Sequence, residues 1–344
     1  MTSQPLVSVM MAAYNAEAYI ADSIKSILRQ TLSDWELIIL NDGSRDQTAA
    51  IVQGFTDPRI RYFENPQNLG LSATRNRMID LARGRYLAVL DSDDLADARR
   101  LEVQTRLLNK HHRVGMIGAG MRIIDEYGKP TGQRHVFADP CSRIPTILLF
   151  SNYFAHSTVL IRREALPAVA YRTEMLIAED YDLWIRISKS WQICNLRKIL
   201  ASYRIHSSNV STSNNIIRDN AERKILLMNL KEIAPAFAEL PIQKELLYLF
   251  CGRLDIAGAR KHFSDLRSSL IAIWNNRVPN RRPKQNQDLA VILLRHYFSL
   301  LNILEMRHYA KLPYIVTMPI GNYMTKVILF CSLLKRKIWY LISR

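Results

Sequence analysis

Acidic residues follow directly after two short apolar runs in the first third of the chain. Asp42 comes after the run 35–40 (WELIIL), and the cluster 91–94 (DSDD) comes after 85–90 (RYLAVL). Alternate carboxylates suit a hard divalent cation, Mn²⁺ or Mg²⁺, which can offset negative charge on phosphate groups. The alternative is structural, because aspartates are also common in turns and as caps of a following helix.

A third acidic group, Glu179, Asp180 and Asp182, begins an amphipathic segment (YDLWIRIS). A carboxylate beside a bound hydroxyl can take its proton, so this group could supply a general base. The alternative is that these acids only complement the positive end of a helix dipole.

Alternating apolar and helical patterns predict the elements that would position these acids. Strands are predicted at 7–13, 35–40, 60–64 and 85–90, the first two of them buried, with helices at 17–29, 46–54 and 72–83 between them. This alternation predicts a mainly parallel sheet with helices on both faces. Ligands bind at the carboxyl ends of the strands in such sheets, so Asp42 and the cluster 91–94 should converge on one crevice.

The pattern changes after residue 114. Strand-like runs at 115–124, 157–162 and 197–205 are separated by short helices and longer loops, which indicates a second half of the same domain. We therefore predict one domain over 1–214, in two halves (1–110 and 111–214). Residues 215–344 are predicted to form a helical C-terminal region.

Charge is concentrated in the C-terminal part of the chain. The net charge is +16, and residues 221–344 hold 20 Lys and Arg against 8 Asp and Glu, which is +12. Such a region could meet an anionic membrane, an acidic glycan or a nucleic acid. No aromatic-basic recognition motif is present, so nucleic acid is not expected as a partner. The apolar tail 312–344 is predicted to contact the membrane surface; a membrane span or packing on the domain are the alternatives.

The four cysteines are widely spaced and include no CxxC pair. This spacing argues against a disulfide framework and a zinc site, and it suits the cytosol. The N-terminus lacks the pattern of a signal peptide.

Four ordered segments of the chain carry a family resemblance. They are VSVMMAAYNAEAYIADSIKSILRQTLSDWELIILNDGSRDQT, NLGLSATRNRMIDLARGRYLAVLDSDD, HSTVLIRREAL and AEDYDLWIRIS, and they lie within residues 5–190. Together they resemble the family-two inverting glycosyltransferases. The resemblance implies the A-type fold, an α/β Rossmann-like mixed, mainly parallel sheet with helices on both faces. It also implies that 1–214 is a catalytic domain, with a nucleotide-binding half (1–110) and an acceptor half (111–214).

The resemblance also implies roles for individual residues. Ala13, where the family usually has Pro, would line the nucleoside pocket with Tyr14, Asn15 and Glu17. Asp42 would contact the base, and Arg75 would lie near the base and diphosphate. Ser92 and His156 would border the donor.

The remaining implied roles concern the cation and the proton transfer. Asp93 would be the main metal ligand, and Asp91 would contact ribose or the metal. His206 would join the metal shell or meet the diphosphate, with Arg204 assisting. Asp180 would be the catalytic base, with Glu179 as the fallback.

The implied activity is transfer of a sugar from a nucleoside-diphosphate donor, with UDP favoured, to a hydroxyl of a glycan or lipid-linked acceptor. The setting would be synthesis of a cell-surface polysaccharide, a lipopolysaccharide or a glycolipid at the inner face of the membrane, in the cytoplasm. The Gln-x-x-Arg-Trp motif of processive synthases is absent, which favours non-processive addition.

Two other functions are alternatives to this transfer. A nucleotidyltransferase should have a Gly-rich loop after the first strand, and an inactive scaffold should lack Asp42, Asp93 or Asp180; neither pattern is present. The oligomeric state stays open.

Overall fold

The computed structural model describes residues 4–207 except 138, 150 and 176, together with Asn209 and residues 221, 222, 224, 225 and 228. The described part contains a nine-stranded sheet flanked by helices. The strands are β1 (Val7–Ala13), β2 (Trp35–Asn41), β3 (Ile60–Glu64), β4 (Tyr86–Val89), β5 (Leu95–Ala96), β6 (Val114–Ile124), β7 (Pro130–His135), β8 (Leu160–Arg162) and β9 (Gln192–Arg204). The helices are α1 (Ile20–Leu28), α2 (Thr48–Gln53), α3 (Leu71–Leu81), α4 (Arg100–Lys110), α5 (Ile144–Ile147) and α6 (Glu179–Ser190).

The first half of the sheet is parallel, in the order β3-β2-β1-β4. Strands β1 and β2 are apolar along nearly their whole length because both of their faces are covered. Helices α1 and α4 pack on one face, in a core that includes Val9, Ile24 and Leu101. Helix α3 packs on the other face through Met78. The carboxyl ends of β1, β2 and β4 therefore meet at one edge, as the sequence predicts.

The second half of the sheet is mixed. Strand β8 is antiparallel to β4 and β6, and β7 is antiparallel to β6, whereas β6 and β9 run parallel. Helices α5 and α6 cover this half with a separate core around the buried Trp184. The long β9 ends at Arg204, beside the short β5 and the acidic cluster 91–94.

The predicted mixed sheet with flanking helices is confirmed, and the differences in the elements have simple causes. Helix α1 begins at Ile20 instead of residue 17, because 15–18 is a loop tied to the β2–α2 connection. Strand β7 is exposed and polar throughout and carries no alternation of apolar residues, so sequence patterning does not reveal it.

The prediction against disulfide bonding of the cysteines was wrong. Cys141 and Cys194 form a disulfide, with their Cα atoms 4.6 Å apart. The two residues are separated by 53 positions, and the fold brings the segment before α5 against β9. Spacing along the sequence shows only short-range pairs, so it does not reveal this long-range one. The disulfide also removes the cysteines as support for a cytosolic location.

Within the described ranges, no helix is long and apolar enough to cross a membrane. The predicted boundary near 214, the helical region 215–344 and the tail 312–344 lie outside those ranges, apart from the residues named between 221 and 228.

Candidate active site

A cleft of about 1140 Å³ opens at the carboxyl ends of β1, β2 and β4 and continues to the start of α6. Nearly all of the residues that the sequence singles out line this one cleft. They are Ala13, Tyr14, Asn15, Glu17, Asp42, Arg75, Asp91, Ser92, Asp93, His156, Glu179, Asp180 and His206. Arg204 is not among the lining residues.

The loop after β1 forms one wall of the cleft and is held by the loop after β2. Asn15 has a positive φ of 48°, and its side-chain oxygen accepts a hydrogen bond from the Arg45 amide at 2.9 Å. The Glu17 carboxylate accepts one from the Gln47 amide at 2.8 Å. These side chains therefore fix the loop, and the neighbouring Tyr14 ring is left half-exposed at the cleft.

The Asp42 carboxylate is buried and organises the turn before α3. It accepts hydrogen bonds from the Leu69 amide at 2.9 Å, the Gly70 amide at 3.0 Å and the Asn65 side chain at 2.6 Å. Gly70 has a φ of 84°, which favours glycine. Asp42 therefore both faces the cleft and sets the start of the helix that carries Arg75.

Arg75 lies at the centre of the cleft floor. One terminal nitrogen lies 3.3 Å from Asp91 and 3.3 Å from the His156 ring, and the other contacts Glu179. Burial alone would lower the pKa of Arg75, but the carboxylates of Glu179 and Asp91 raise it, so the guanidinium stays charged. Burial alone would raise the pKa of Asp91; contacts with His156, Arg75 and Ser157 outweigh this and hold it low.

The two adjacent carboxylates at the start of α6 have different surroundings. Glu179 is buried and paired with Arg75. Asp180 accepts bonds from its neighbouring Tyr181 amide at 2.6 Å and from the Asn152 side chain at 3.3 Å, with no cation bonded to it in the described part of the chain. Ala178, just before them, has a φ of 67°, a strained value for a residue with a Cβ. This turn directs both carboxylates into the cleft.

The side chains of Asp93 and His206 contact each other, and both line the cleft. Asp93 Oδ2 lies 2.9 Å from His206 Nε2 and 3.3 Å from the Asn209 amide nitrogen. Burial raises the pKa of Asp93, and the negative charge of Asp91 raises it further, against the opposing contact with His206. An added positive charge at this point would therefore be favourable.

The donor atoms of Asp93 and His206 fit Mn²⁺, which accepts imidazole as well as carboxylate ligands. No group of three or more acidic, His or Cys side chains that could hold a metal occurs in the described ranges. A cation here would need further oxygens from a bound diphosphate and water, which is the usual arrangement for Mg²⁺ in nucleotide sites.

Arg204 lies behind the acidic cluster instead of in the cleft. Its Nε donates to the Asp93 carbonyl at 2.9 Å, and its own backbone amide donates to Asp94 at 2.9 Å. Burial, together with the charges of Asp93 and Asp91, raises the pKa of Asp94 well above its ordinary value. Arg204 therefore supports the cluster from the protein interior, and its contact with a diphosphate stays a prediction.

Three asparagines of the site carry no recognisable signal in the sequence. Asn65 bonds Asp42, Asn152 bonds Asp180, and Asn209 bonds Asp93. Each lies in a loop after or before a strand, and its partner is distant in sequence, so only the folded chain shows the pairing. Asn209 does fall in the polar loop that follows β9.

Comparison with known proteins agrees with this arrangement. Residues 8–169 match the model of the family described as Glycosyl transferase family 2. The chain is 34% identical over 210 residues to the Escherichia coli UDP-Glc:alpha-D-GlcNAc-diphosphoundecaprenol beta-1,3-glucosyltransferase WfgD, covering 60% of this chain and 80% of that protein.

Two solved structures share the fold at low sequence identity. The S. aureus TarS fragment 1–349 in complex with UDP-GlcNAc aligns with a TM-score of 0.55 at 17% identity, covering 88% of this chain and 92% of that one. The mannosyltransferase PcManGT from Pyrobaculum calidifontis, in complex with GDP-Man and Mn²⁺, aligns with a TM-score of 0.51 at 16% identity, covering 90% and 85%. The predicted A-type fold is thereby confirmed, and the chain belongs to glycosyl transferase family 2 and is a glycosyltransferase.

Proposed function

We propose that this glycosyltransferase is inverting and metal-dependent, and that it moves a sugar from a nucleoside-diphosphate sugar to an acceptor hydroxyl. The observation that carries this proposal is the pairing of charges in the cleft. Arg75 forms an ion pair with Glu179, so of the two adjacent carboxylates we assign Asp180 to act on the acceptor. Asp42, Asp91 and Asp93 line the same cleft on the donor side.

The proposed reaction is a single displacement. The acceptor oxygen bonds to the anomeric carbon while the bond from that carbon to the diphosphate breaks, and the nucleoside diphosphate leaves. The hydroxyl proton passes to Asp180. Retention by double displacement would need a second carboxylate as nucleophile, and Glu179 is held by Arg75. Asn152 fixes one Asp180 oxygen, which orients the base toward the acceptor.

Asp93, with His206 and Asp91, is proposed to hold the divalent cation, Mn²⁺ or Mg²⁺. A cation held there supplies positive charge for the leaving diphosphate. Arg75, fixed by Asp91 and Glu179, is proposed to lie beside the phosphates, and His156 and Ser92 beside the donor sugar. Arg204 is proposed to act by supporting Asp93 and Asp94.

The proposed donor nucleotide is UDP, held at its base by Asp42 and flanked by Ala13, Tyr14, Asn15 and Glu17. A carboxylate accepts from the N3–H of uracil, whereas cytosine presents no N–H at that ring position. Two of the similar proteins are named for UDP sugars, the glucosyltransferase WfgD and TarS with UDP-GlcNAc. These names support UDP, and the GDP-Man bound to PcManGT makes GDP the alternative to test.

The proposed acceptor is a glycan or a lipid-linked sugar, extended non-processively during cell-envelope polysaccharide synthesis. WfgD is named for a diphosphoundecaprenol-linked acceptor. The charge of +12 over residues 221–344 supports docking of this region, including 312–344, on the anionic inner face of the membrane from the cytoplasm. Cosedimentation with anionic liposomes that persists after removal of 312–344 would contradict the role of that tail.

The test compares Asp180→Asn with wild type and with Asp80→Asn, an exposed control at the far end of α3. Calorimetric titration with UDP, GDP, CDP and dTDP, with and without Mn²⁺, first identifies the nucleotide. We expect all three proteins to bind UDP, and to bind it more tightly with Mn²⁺ than without it. With the matching sugar donor, Asp180→Asn should lose about 10²–10⁴-fold in turnover, the usual contribution of a general base. NMR of the product should show inverted anomeric configuration.

The outcomes separate the parts of this proposal. Near-normal turnover of Asp180→Asn would remove Asp180 as the base. A retained anomeric configuration would exclude the single displacement. A folded wild-type protein that binds none of the four nucleotides would instead indicate an inactive scaffold.

A further inference from the structure

Tyr19, the residue just before α1, contacts two residues from the end of β9. Its ring centroid lies 4.5 Å from that of His206, with the planes inclined at 37°. The guanidinium carbon of Arg204 lies 4.8 Å from the same ring centroid. The aromatic ring is therefore held between an imidazole and a guanidinium.

Both neighbours of Tyr19 hold the same aspartate. His206 Nε2 lies 2.9 Å from the Asp93 carboxylate, and Arg204 Nε donates to the Asp93 carbonyl at 2.9 Å. The side chain and the backbone of Asp93 are thus each fixed by a residue that packs on Tyr19. A shift of the Tyr19 ring would release both contacts together.

A second contact joins α1 to the same acidic cluster. Ser23, one turn after Tyr19, donates to the Ser92 carbonyl at 2.8 Å. The residues just before Tyr19, from Tyr14 to Ala18, line the donor side of the cleft. Tyr19 and Ser23 therefore connect the nucleoside wall to the cluster that contains Asp93.

We propose that Tyr19 is a positioning residue for the cation site: its ring fixes His206 and Arg204, and through them Asp93, before a cation binds. This inference rests on the proposed role of Asp93 and His206 in holding a divalent cation. Neighbours that orient a ligating side chain typically contribute 10- to 100-fold to metal affinity. Packing against the Tyr19 ring restricts rotation of the imidazole and keeps Nε2 directed at the cleft.

The two contacts of Tyr19 with His206 and Arg204 are made by its ring, and neither involves the phenol oxygen. Phenylalanine should therefore replace Tyr19 without loss, whereas alanine should not. This difference separates positioning by the ring from a hydrogen-bonding role of the hydroxyl. Tyr127, which is 78% exposed on the β6–β7 turn, gives a matched control for the loss of a tyrosine.

The experiment measures Mn²⁺ affinity by electron paramagnetic resonance in the presence of UDP, and UDP affinity by calorimetry without metal. Wild type is compared with Tyr19→Ala, Tyr19→Phe and Tyr127→Ala in the full chain, with melting curves for each. We expect Mn²⁺ binding about tenfold or more weaker in Tyr19→Ala. We expect values close to wild type in Tyr19→Phe and Tyr127→Ala, and little change in metal-free UDP affinity.

Each result has a definite meaning. Unchanged Mn²⁺ affinity in Tyr19→Ala, with a wild type that binds Mn²⁺, overturns the inference alone. Loss of metal-free UDP binding with unchanged Mn²⁺ affinity would make Tyr19 a nucleoside contact and also overturns it. A folded wild type that binds UDP but no Mn²⁺ overturns the proposed cation site itself. Should Tyr19→Ala fail to fold, Tyr19→Leu takes its place, and wild-type Mn²⁺ affinity in that variant overturns the inference.

Discussion

At the scale of single residues, the site depends on which carboxylates are already paired. Glu179 and Asp180 are adjacent in sequence and have the same charge, yet of these two carboxylates only Glu179 is bonded to Arg75. The Arg75 and Glu179 side chains are 7% and 6% exposed, so the ion pair is almost free of solvent. A structural role for Glu179 and a chemical role for Asp180 follow from this difference.

Glu179→Gln tests the division of roles through stability. The substitution leaves the buried Arg75 guanidinium with only its 3.3 Å contact to the Asp91 carboxylate, so we expect a loss of about 3 kcal/mol in the free energy of unfolding. Asp180→Asn should stay within about 1 kcal/mol of wild type, because its carboxylate makes no ion pair in the described part of the chain. Urea denaturation of both variants measures the difference. Equal stabilities would mean that the Arg75–Glu179 contact does not organise the site.

The sequence identifies most of the charged residues of the cleft but not Arg45, Asp46 or Glu222. Asp42, Asp91 and Asp93 are predictable because acids at the ends of parallel strands must converge there. It does not distinguish their roles. Arg204 illustrates the limit, since the strand end is predictable but the direction of the side chain is set by packing against Tyr19 and Asp93. The asparagine partners of the acids are likewise determined only by loop geometry.

At the scale of elements, a network at the amino-terminal edge of the sheet holds three strands and the α3–β4 connection together. The buried Glu36 on β2 accepts hydrogen bonds from Ser8 on β1 at 2.6 Å and from Arg61 on β3 at 2.7 Å. The Arg83 amide donates to it at 2.8 Å. Glu36 lies at the start of a strand that otherwise reads as uniformly apolar, so the pattern predicts the strand but not this network.

The network predicts a pH dependence of stability. Burial by itself would raise the pKa of Glu36, but the bonds from Ser8, Arg61 and Arg83 outweigh it and lower the pKa below the ordinary value of 4.5. Because the folded-state pKa is the lower one, the stabilisation is fully present above pH 4.5 and is lost as pH falls through the folded-state pKa.

Glu36→Gln should therefore be less stable than wild type by about 1–3 kcal/mol at neutral pH, with the gap narrowing in acid. Urea denaturation at a series of pH values from neutral to acidic measures this gap. The exposed Glu164→Gln serves as the control and should follow wild type throughout. A constant gap between Glu36→Gln and wild type at all pH values would contradict the assigned ionisation.

At the scale of the whole molecule, the parallel half was predictable because its strands alternate with helices and three of them, β1, β2 and β4, are buried. The second half was less so, because it mixes strand directions and includes the fully exposed β7. The disulfide belongs to this second half. It connects the segment before α5 to β9, and the chain between the two cysteines includes Asn152, His156 and Asp180.

The disulfide should stabilise the fold by limiting the unfolded chain. Its sequence separation is 53 residues, and loops of this size are typically worth about 2–4 kcal/mol. Cys141→Ser should lose this amount under oxidising conditions, and dithiothreitol should destabilise wild type but leave Cys141→Ser unchanged. Urea denaturation with and without the reductant measures both effects.

Titration of free thiols tests the bond directly. Because the chain has four cysteines, four free thiols in the native oxidised protein would show that the bond is not formed. Two or fewer thiols in wild type, with one more in Cys141→Ser and one more in Cys194→Ser, would locate the bond between these two cysteines.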